Sequence, residues 1–414
     1  MTRNPIQPSG ENHFTKFGTF AIMTLGILWI FEVAAVGPAI GVIQAAFPGS
    51  TEAEAQYVMM GVYIGLAVAC PISGRLALRF DKKTLTLIGL LITGVAGIMP
   101  AFMTSIQDII FWRIITGLGA GIVVPMMTAI IADKSSGGHR TRIMGRAYAW
   151  GNVGSVIIST LVGIGMMVTW KMPFYSFSVM FVAFAICLFG LPKCPPSLQE
   201  ISDANKNKEK VPLKGFMFFY LGTIAFFYCF NSFATTNIAF LVLQDGIVNP
   251  AMIGIIIAVL ACSAAVGGAL FPRFVAQVKS MYTPICIIFS GCGYIILQGA
   301  YTLPQYFLGF IVVGYAMGAM VPYLTNMVAV RSSSQREKDV AMGWANLGLP
   351  VGCFVCVPYG DFVKTLNPGT VYESDIRFLW AVIAVTMIAA GVATIFTRSK
   401  KLTARMLEET QMLA

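Results

Sequence analysis

The sequence predicts an all-α integral membrane protein with twelve transmembrane helices, arranged as two six-helix bundles related by a pseudo-twofold axis along the membrane normal. Three observations predict this fold. The 414-residue chain is 57% hydrophobic and only 11% charged, with a mean hydropathy of +0.76, whereas soluble domains carry about 25% charged residues. Long apolar runs divide the chain. Finally, its two halves share a repeated pattern of residues.

Each apolar run is long enough for one membrane crossing, since a helix needs about 20 residues to span about 30 Å of hydrocarbon. The first run has no cleavage site behind it, so we expect it to stay in the protein as a helix. The predicted helices are residues 18–46, 56–79, 84–103, 108–132, 143–168, 174–192, 215–243, 250–272, 281–299, 304–330, 339–360 and 374–397.

The longest polar stretch of the chain separates the sixth run from the seventh. It covers residues 193–214 and carries five lysines. We therefore expect an N-terminal six-helix bundle at residues 1–192, a cytoplasmic linker at 193–214, and a C-terminal six-helix bundle with a short cytoplasmic tail at 215–414.

The distribution of basic residues predicts the orientation. With the N-terminus inside, all Lys and Arg residues but four fall on the cytoplasmic side; Lys171, Lys364 and Arg377 lie in outer loops and Arg113 lies in a span. Cytoplasmic loops are enriched in Lys and Arg, and an even number of crossings also places both termini on one side. We predict a multi-pass protein of the plasma (inner) membrane with both termini cytoplasmic.

Several classes of function are disfavoured by the composition. The net charge of +10 is spread over short loops rather than over one face, which argues against nucleic acid as a partner. Cys353 and Cys356 have the spacing of metal ligands, but no second pair and no histidine accompany them, which argues against zinc. Both histidines, His13 and His139, lie in polar flanks. We expect no metal, no cofactor and a monomer.

An enzyme and an ATP-driven pump are also disfavoured. The chain has no G-x-x-x-x-G-K-S/T phosphate loop, so primary transport would need a separate ATPase subunit. No nucleophile with an adjacent base stands out. A sensor built on a transporter fold is left as a minor alternative, because the tail beyond residue 397 is short.

An internal repeat relates the two halves. The fourth run and the tenth share residues at a constant offset, and the matched pairs are Gly117 with Gly314, Gly121 with Gly318, Pro125 with Pro322, and Thr128 with Thr325. The fifth and eleventh runs share W-x-N-x-G. Glycine and proline are common in membrane helices, but that does not explain the matched Trp and Asn. A parallel repeat places a solute site between the halves near mid-membrane.

Two stretches carry a family resemblance. One is the loop Gly74-Arg-Leu-Ala-Leu-Arg79-Phe-Asp81-Lys-Lys, and the other is Arg113 followed by Gly117-Leu-Gly-Ala-Gly. Together they resemble signatures of the major facilitator superfamily, and the resemblance covers essentially the whole chain. It implies that the first, fourth, seventh and tenth helices line a cavity, that Gly74, Arg79 and Asp81 act in gating, and that Arg113 acts in proton coupling.

The sequence departs from this family at two points. Leu78 occupies the place of the usual loop aspartate, and Asp81 is either a substitute for it or a solvated charge. The fifth helix lacks the G-P-x-x-G-G run of drug–proton antiporters, which weakly favours uptake over efflux. Pro125 and Pro322 would kink their helices, either to support rocking of the halves or only to shape the cavity.

One acidic residue of the eighteen, Glu32, lies near the centre of a predicted span. A charge in lipid is costly and marks function by default. Arg113 lies in a neighbouring cavity-lining helix, so we expect the two residues to pair. Glu32 is then either the proton carrier of a coupled transporter or half of a static lock between two helices.

Polar side chains in the inner helices mark the expected solute site. They are Tyr228, Asn231, Thr235 and Asn237 in the seventh helix and Tyr315, Tyr323 and Asn326 in the tenth. With aromatic rings and one arginine, the site suits a small organic solute and favours an organic anion. The sequence thus predicts proton-coupled symport by alternating access; the alternatives are proton-coupled multidrug or metabolite efflux and an uncoupled facilitator.

Overall fold

The computed structural model describes residues 14–135, 137–196, 214–244, 250–332, 335–367 and 375–397, and the regular elements within these ranges are all helical. We number the long helices α1 to α12 in chain order. Their bounds are α1 Lys16–Val36 with its continuation Ile40–Ala46, α2 Glu52–Leu76, α3 Lys82–Ile98, α4 Ile106–Lys134, α5 Gly137–Gly165, α6 Met172–Gly190, α7 Gly215–Gln244, α8 Pro250–Val278, α9 Tyr282–Gln298, α10 Leu303–Arg331, α11 Gln335–Thr365 and α12 Asp375–Thr397.

Most of these helices are long and apolar enough to cross a membrane alone. Ten of the helices within the described ranges meet that condition, and α1 makes an eleventh if its two parts, bent by 50°, form one span. The apolar part of α5, Trp150–Gly165, is shorter. The predicted all-α membrane fold is confirmed, and each helix lies within a few residues of its predicted position.

Local sequence explains where several helices begin. At α2, the Thr51 side chain accepts a hydrogen bond from the Glu54 amide, and the Glu54 carboxylate accepts one from the Thr51 amide. Thr302 and Gln305 form the same capping box at α10. Asp81 caps α3 by accepting from the Lys83 amide at 2.7 Å. Such caps satisfy amide groups that have no partner within the helix.

The helices pair in the same way in both halves. In the first half α1 packs on α5, α2 on α4 and α3 on α6; in the second half α7 packs on α11, α8 on α10 and α9 on α12. Each pair in one half thus corresponds to the pair six helices later, as the sequence repeat requires. Residues 197–213 of the predicted linker lie outside the described residues, so the domain boundary stays a prediction.

Glycines set the close approach of the paired helices. A Cβ on Gly117 of α4 would collide with the Val62 carbonyl of α2, and one on Gly318 of α10 would collide with the Ala264 carbonyl of α8. Gly117 is the first glycine of the G-x-x-x-G step in α4, and Gly318 is the second glycine of the matching step in α10. Without a side chain at such positions, two membrane helices can bring their backbones together.

The two halves are joined by α5 and α8, which pack against each other, and by contacts on one side of the molecule. We call the side where α1 ends and α2 begins the closed side, and the side where α1 begins and α12 ends the terminal side. On the closed side, Lys364 of α11 contacts Glu52 of α2 at 2.6 Å. Near it, Gln56 of α2 donates to Asn237 of α7 at 3.0 Å.

The terminal side has space where the closed side has contacts. A Cβ added to Gly74 at the end of α2, or to Gly343 near the start of α11, would have no atom within 4 Å. At the opposite side of the same two helices, the ring centroids of Tyr57 and Phe354 are 5.8 Å apart. Within the described residues, α2 and α11 therefore contact each other on the closed side, and these two glycines have no neighbour on the terminal side.

Candidate functional site

Glu32 and Arg113 form a buried ion pair between α1 and α4. Arg113 Nη1 lies 2.9 Å from Glu32 Oε2, and the side chains are 0% and 8% exposed. Arg113 also donates from Nε to the Val58 carbonyl at 2.9 Å and from Nη2 to the Glu32 carbonyl at 3.4 Å. The guanidinium is thus held by backbone oxygens of α1 and α2 as well as by the carboxylate.

The surroundings of the pair are apolar. The Arg113 guanidinium lies 5.3 Å from the centroid of the Phe177 ring, which favours a cation over its face. Phe31 packs edge-on against Phe177, with centroids 5.1 Å apart. A low-dielectric setting strengthens the attraction between the two charges but makes each of them costly if the other is removed.

One oxygen of the carboxylate lacks a partner. Glu32 Oε1 is buried and accepts no hydrogen bond from the described residues, while Oε2 takes the contact with Arg113. Buried polar atoms are nearly always paired. An unpaired buried carboxylate oxygen is a place where a proton can be added without breaking an existing hydrogen bond. The Glu32 carboxylate therefore has one oxygen bound to Arg113 and one oxygen without a hydrogen bond among the described residues.

A second polar cluster joins the two halves near the middle of the helices. Ser232 Oγ of α7 lies 3.3 Å from Cys353 Sγ of α11. The Cys353 thiol also lies close to the Tyr63 side chain of α2, and Tyr63 lies close to Tyr228. We call Tyr63, Tyr228, Ser232 and Cys353 the mid-membrane cluster. It lies nearer the middle of the helices than the contact between Lys364 and Glu52.

Sequence reasoning missed half of this cluster. Tyr228 was among the expected solute contacts and Ser232 is a polar residue of the same predicted helix, but Tyr63 and Cys353 were not expected at the site. The signal that was available is their depth, since both lie near the middle of their helices. Within the described residues no three His, Cys, Asp or Glu side chains are grouped as a metal ion would require.

The other expected contacts of α7 are used within the protein. Asn231 Nδ2 donates to the Phe227 carbonyl at 2.8 Å and Oδ1 accepts from Ser290 of α9 at 2.9 Å. Thr235 donates to the Ser232 carbonyl at 2.8 Å. Asn237 accepts from Gln56 in the contact between the halves. Of the four, Tyr228 alone belongs to the mid-membrane cluster.

The expected contacts of α10 are spread over different faces. Tyr315 packs between Phe274 of α8 and Phe289 of α9, and its hydroxyl has no partner among the described residues. Tyr323 packs on Tyr282 of α9, with centroids 4.8 Å apart. Asn326 is exposed. The structure does not bring these three side chains together with Glu32 and Arg113.

Comparison with known families decides what this helical scaffold is. The sequence model of the family described as Major Facilitator Superfamily matches residues 20–356, which is most of the chain. The chain belongs to the Major Facilitator Superfamily. This membership confirms the family resemblance in the sequence, and the long apolar helices are those of a multi-pass membrane protein.

Similar proteins of this superfamily differ in what they carry. The chain is 29% identical over 140 residues to a triacylglyceride transporter of Mycolicibacterium smegmatis, covering 34% of this chain and 23% of that protein. It is 28% identical over 127 residues to the quinolone resistance protein NorA of Staphylococcus aureus, covering 31% and 33%. The aligned stretch thus spans a third or less of these relatives.

Solved structures of the superfamily share the fold over nearly the whole chain. The nucleoside transporter NupG superimposes with a TM-score of 0.74 at 15% identity, covering 91% of this chain and 99% of that one. The D-xylose–proton symporter gives 0.70 at 14% identity, with 91% and 96% covered. At such low identity the likeness extends to the fold alone.

The superfamily loop between α2 and α3 has its own arrangement here. Gly74 and Arg79 are exposed, while Asp81 caps α3 as described above. Lys82 Nζ, next to Asp81, forms a 2.7 Å ion pair with Asp133 near the end of α4. This contact between α3 and α4 was not predicted. Gating by Gly74, Arg79 and Asp81 stays a prediction.

The two prolines of the superfamily repeat lie within long helices. Pro125 lies inside α4, and its carbonyl accepts from Thr128 Oγ1 at 2.8 Å. Pro322 falls within α10, but its side chain lies outside the described residues. Their suggested role in rocking of the halves also stays a prediction.

Proposed function

We propose that this transporter carries a small organic solute by alternating access, in symport with protons, and that Glu32 is the proton carrier. The observation that carries the proposal is the unpaired Glu32 Oε1 beside the ion pair with Arg113. Glu32 is a buried acid near the middle of a span, and only one of its two carboxylate oxygens is hydrogen-bonded. The other oxygen can take a proton, and the charge of the side chain changes when it does.

The two charge states of Glu32 give two sets of contacts with Arg113. When Glu32 is ionised, Oε2 accepts a charge-assisted hydrogen bond from Arg113, and such bonds are about twice as strong as neutral ones. A proton added at Oε1 removes the negative charge and weakens that bond. Arg113 keeps its contact with the Val58 carbonyl, and its positive charge is then available to an anionic solute.

The mid-membrane cluster supports a solute with polar and apolar parts. Tyr63 and Tyr228 offer aromatic faces together with hydroxyl groups, and Ser232 adds a further hydroxyl. With Arg113 as the deep cation, a small organic anion fits this set better than a polyhydroxylated sugar, which would need more polar partners. We propose Tyr228, Tyr63 and Ser232 as the solute contacts of α7 and α2.

The orientation follows from the basic residues. In the sequence, a lysine-rich linker joins the end of α6 to the start of α7, and both of these helix ends belong to the terminal side. We therefore place this side in the cytoplasm, with the protein in the plasma membrane. The described conformation would then receive or release solute on the cytoplasmic side. We propose a monomer as the working unit, since each half contributes residues to one site within one chain.

The proposal is tested with purified protein in liposomes that contain a pH-sensitive dye. Pools of small organic solutes are added under an imposed proton gradient to the wild type and to Glu32→Gln. The Asp108→Asn variant is the matched control, because Asp108 is an exposed carboxylate in the same half. We expect one pool to cause proton flux in the wild type and in the control but not in Glu32→Gln. Solute movement without proton flux in the wild type would contradict the proposal.

Export is the second candidate, and its support is the similarity of about a third of the chain to a quinolone resistance protein. The same pair of charges can couple protons to transport in either direction. Everted membrane vesicles separate the two cases: a symporter for uptake accumulates its solute with the proton gradient directed inward in right-side-out vesicles, whereas an exporter accumulates it in everted ones.

A further inference from the structure

The C-terminal half contains a cavity that is separate from the Glu32 and Arg113 site. It has a volume of about 530 Å³ and lies among α7, α9, α10 and α12 on the terminal side. Its walls include Phe218 and Phe226 of α7, Ile287 of α9 and Tyr323 of α10. This volume is within the range of about 300–1,000 Å³ that is typical of small-molecule sites.

The equivalent place in the N-terminal half is filled. There α1 and α6 correspond to α7 and α12, and they pack together near the start of α1. A Cβ on Gly18 would lie 3.1 Å from the Gly190 carbonyl oxygen, and one on Gly190 would lie 2.8 Å from the Ala21 Cβ. The cavity is therefore not a general consequence of the repeated fold but a feature of the C-terminal half.

Gly222 keeps this cavity open. It lines the cavity from α7, and a Cβ added there would meet no atom within 4 Å. Gly117 and Gly318 are required because backbones approach them, but no such neighbour explains Gly222. A glycine inside a helix costs about 1 kcal/mol relative to alanine. A molecule bound in the cavity would explain a glycine at position 222, because the absence of a side chain lets that molecule lie against the helix backbone.

The cavity has an apolar interior and a cation at its rim. Arg331, the last residue of α10, is exposed there, and its guanidinium lies 5.3 Å from the Phe216 ring centroid. Arg331 also lies close to the Tyr220 side chain. Among the described residues no carboxylate pairs with Arg331. Hydroxyl groups of Ser280 and Thr283 also line the cavity, whereas Thr394 Oγ1 donates to the Gly391 carbonyl at 2.7 Å.

The cavity opens toward the lipid between α7 and α12. Phe219 of α7 is 55% exposed and Ala393 of α12 is exposed, and both line it. Phe226 lies eleven residues from the start of α7, so the cavity reaches about 16 Å into the membrane at a rise of 1.5 Å per residue. An acyl chain of the adjacent leaflet can enter between these two helices.

We propose that this cavity binds one anionic lipid of the surrounding bilayer. An acyl chain of the lipid lies along Gly222 among Phe218, Phe226 and Ile287, and Arg331 holds its phosphate group. Arginine matches a phosphate with a planar fork of donors, and the hydroxyl groups near it satisfy further oxygens. The site is independent of proton coupling, and its failure leaves the proposed function untouched.

Native mass spectrometry of the full-length protein tests the binding. Phosphatidylglycerol and phosphatidylcholine of the same acyl length are titrated separately. We expect Arg331→Gln to weaken phosphatidylglycerol binding about tenfold, the loss of one charge-assisted contact. Phosphatidylcholine binding should weaken less, because its choline cation offsets the charge of its phosphate. Arg75→Gln is the control, since Arg75 is an exposed arginine on the same side in the other half. Equal losses in both variants would mean general surface attraction and would overturn the proposal.

Filling the cavity tests its apolar part. We expect Gly222→Leu to lose both lipids, whereas Gly343→Leu, at a second glycine with open space around it, keeps both. Unchanged binding in Gly222→Leu contradicts the proposal. So does displacement of phosphatidylglycerol by inorganic phosphate, because the anion alone would then be the ligand.

A measurement on the unmutated site covers the case in which Gly222→Leu does not fold. Trp344 lies 5.4 Å from Phe218 between ring centroids. Phosphatidylglycerol with brominated acyl chains should quench the fluorescence of Trp344, and a protein with Trp344→Phe should lose that part of the quenching. Equal quenching in the two proteins would place the acyl chain elsewhere and overturn the proposal.

Discussion

Arg113 Nη1 lies 2.9 Å from Glu32 Oε2, while Glu32 Oε1 has no hydrogen-bond partner among the described residues. The arginine is fully buried and also binds the Val58 carbonyl. One half of the carboxylate is thus fixed and the other half is able to take a proton. The predictions below separate this asymmetric pair from a lock that only holds α1 to α4.

Removing the arginine should destabilise the protein strongly. Arg113→Leu leaves a buried carboxylate without its cation, and breaking a buried pair from one side costs about 3–5 kcal/mol. The double variant Arg113→Leu with Glu32→Leu should recover a large part of that loss, since no charge is then left unpaired. Thermal unfolding in detergent measures both. Equal destabilisation by the single and double variants would contradict this account of the pair.

The contact between Lys364 and Glu52 should hold the closed side together. Their side chains are 12% and 31% exposed, so Lys364→Gln should weaken the closure by about 1 kcal/mol, the upper range for partly exposed pairs. Distances between spin labels on α2 and α11 at the closed side should lengthen in a larger fraction of molecules. Lys171→Gln is the control, because Lys171 packs on Trp170 within its own half. A shift of the same size in both variants would remove Lys364 from this role.

Close helix packing predicts a contrast between two glycines. Gly318→Ala should destabilise the C-terminal half by about 1–3 kcal/mol, because the new Cβ collides with the Ala264 carbonyl and the backbones must separate. Gly343→Ala should be neutral or slightly stabilising, since nothing lies within 4 Å of the added carbon. Chemical denaturation in detergent compares the two, and a similar cost for both would be evidence against this packing.

The mid-membrane cluster predicts an effect on affinity rather than on coupling. Tyr63→Phe removes the hydroxyl of a side chain that lies close to Cys353 and keeps the ring. We expect the KM for the transported solute to rise about threefold to tenfold, in line with one neutral hydrogen bond, while the ratio of protons to solute stays the same. Transport assays in liposomes at varied solute concentration give both quantities. A changed proton ratio with an unchanged KM would place Tyr63 outside the solute site.

Sequence reasoning predicted the helices, the correspondence between the two halves and the Glu32 to Arg113 contact. A long apolar run in a membrane forms a helix because its backbone groups must pair within the segment. The repeat that matches Gly117 with Gly314 shows which helices of the two halves correspond. The ion pair was predictable because charged residues inside membrane helices are rare and usually pair with one another. This chain places two such residues of opposite charge in inner helices.

The sequence did not predict which way the polar side chains of α7 and α10 face. Asn231 binds Ser290 of α9 and Tyr315 packs against α8 and α9, although both are as polar as Tyr228. Every face of these helices is apolar enough to be buried, so hydropathy carries no signal for rotation about the helix axis. The Tyr63 contact with Cys353 depends on how the two halves meet, which no single-helix pattern encodes.

The central claim is that Glu32 carries the coupled proton, and one pair of transport assays tests it most directly. Once the solute is known, Glu32→Gln is assayed in liposomes for exchange of labelled solute at equal pH and for accumulation driven by a proton gradient. A proton carrier predicts that exchange persists while accumulation is lost, because the neutral amide mimics the protonated acid and cannot release a proton. Accumulation at the wild-type level in Glu32→Gln would contradict the claim and leave the pair as a structural contact.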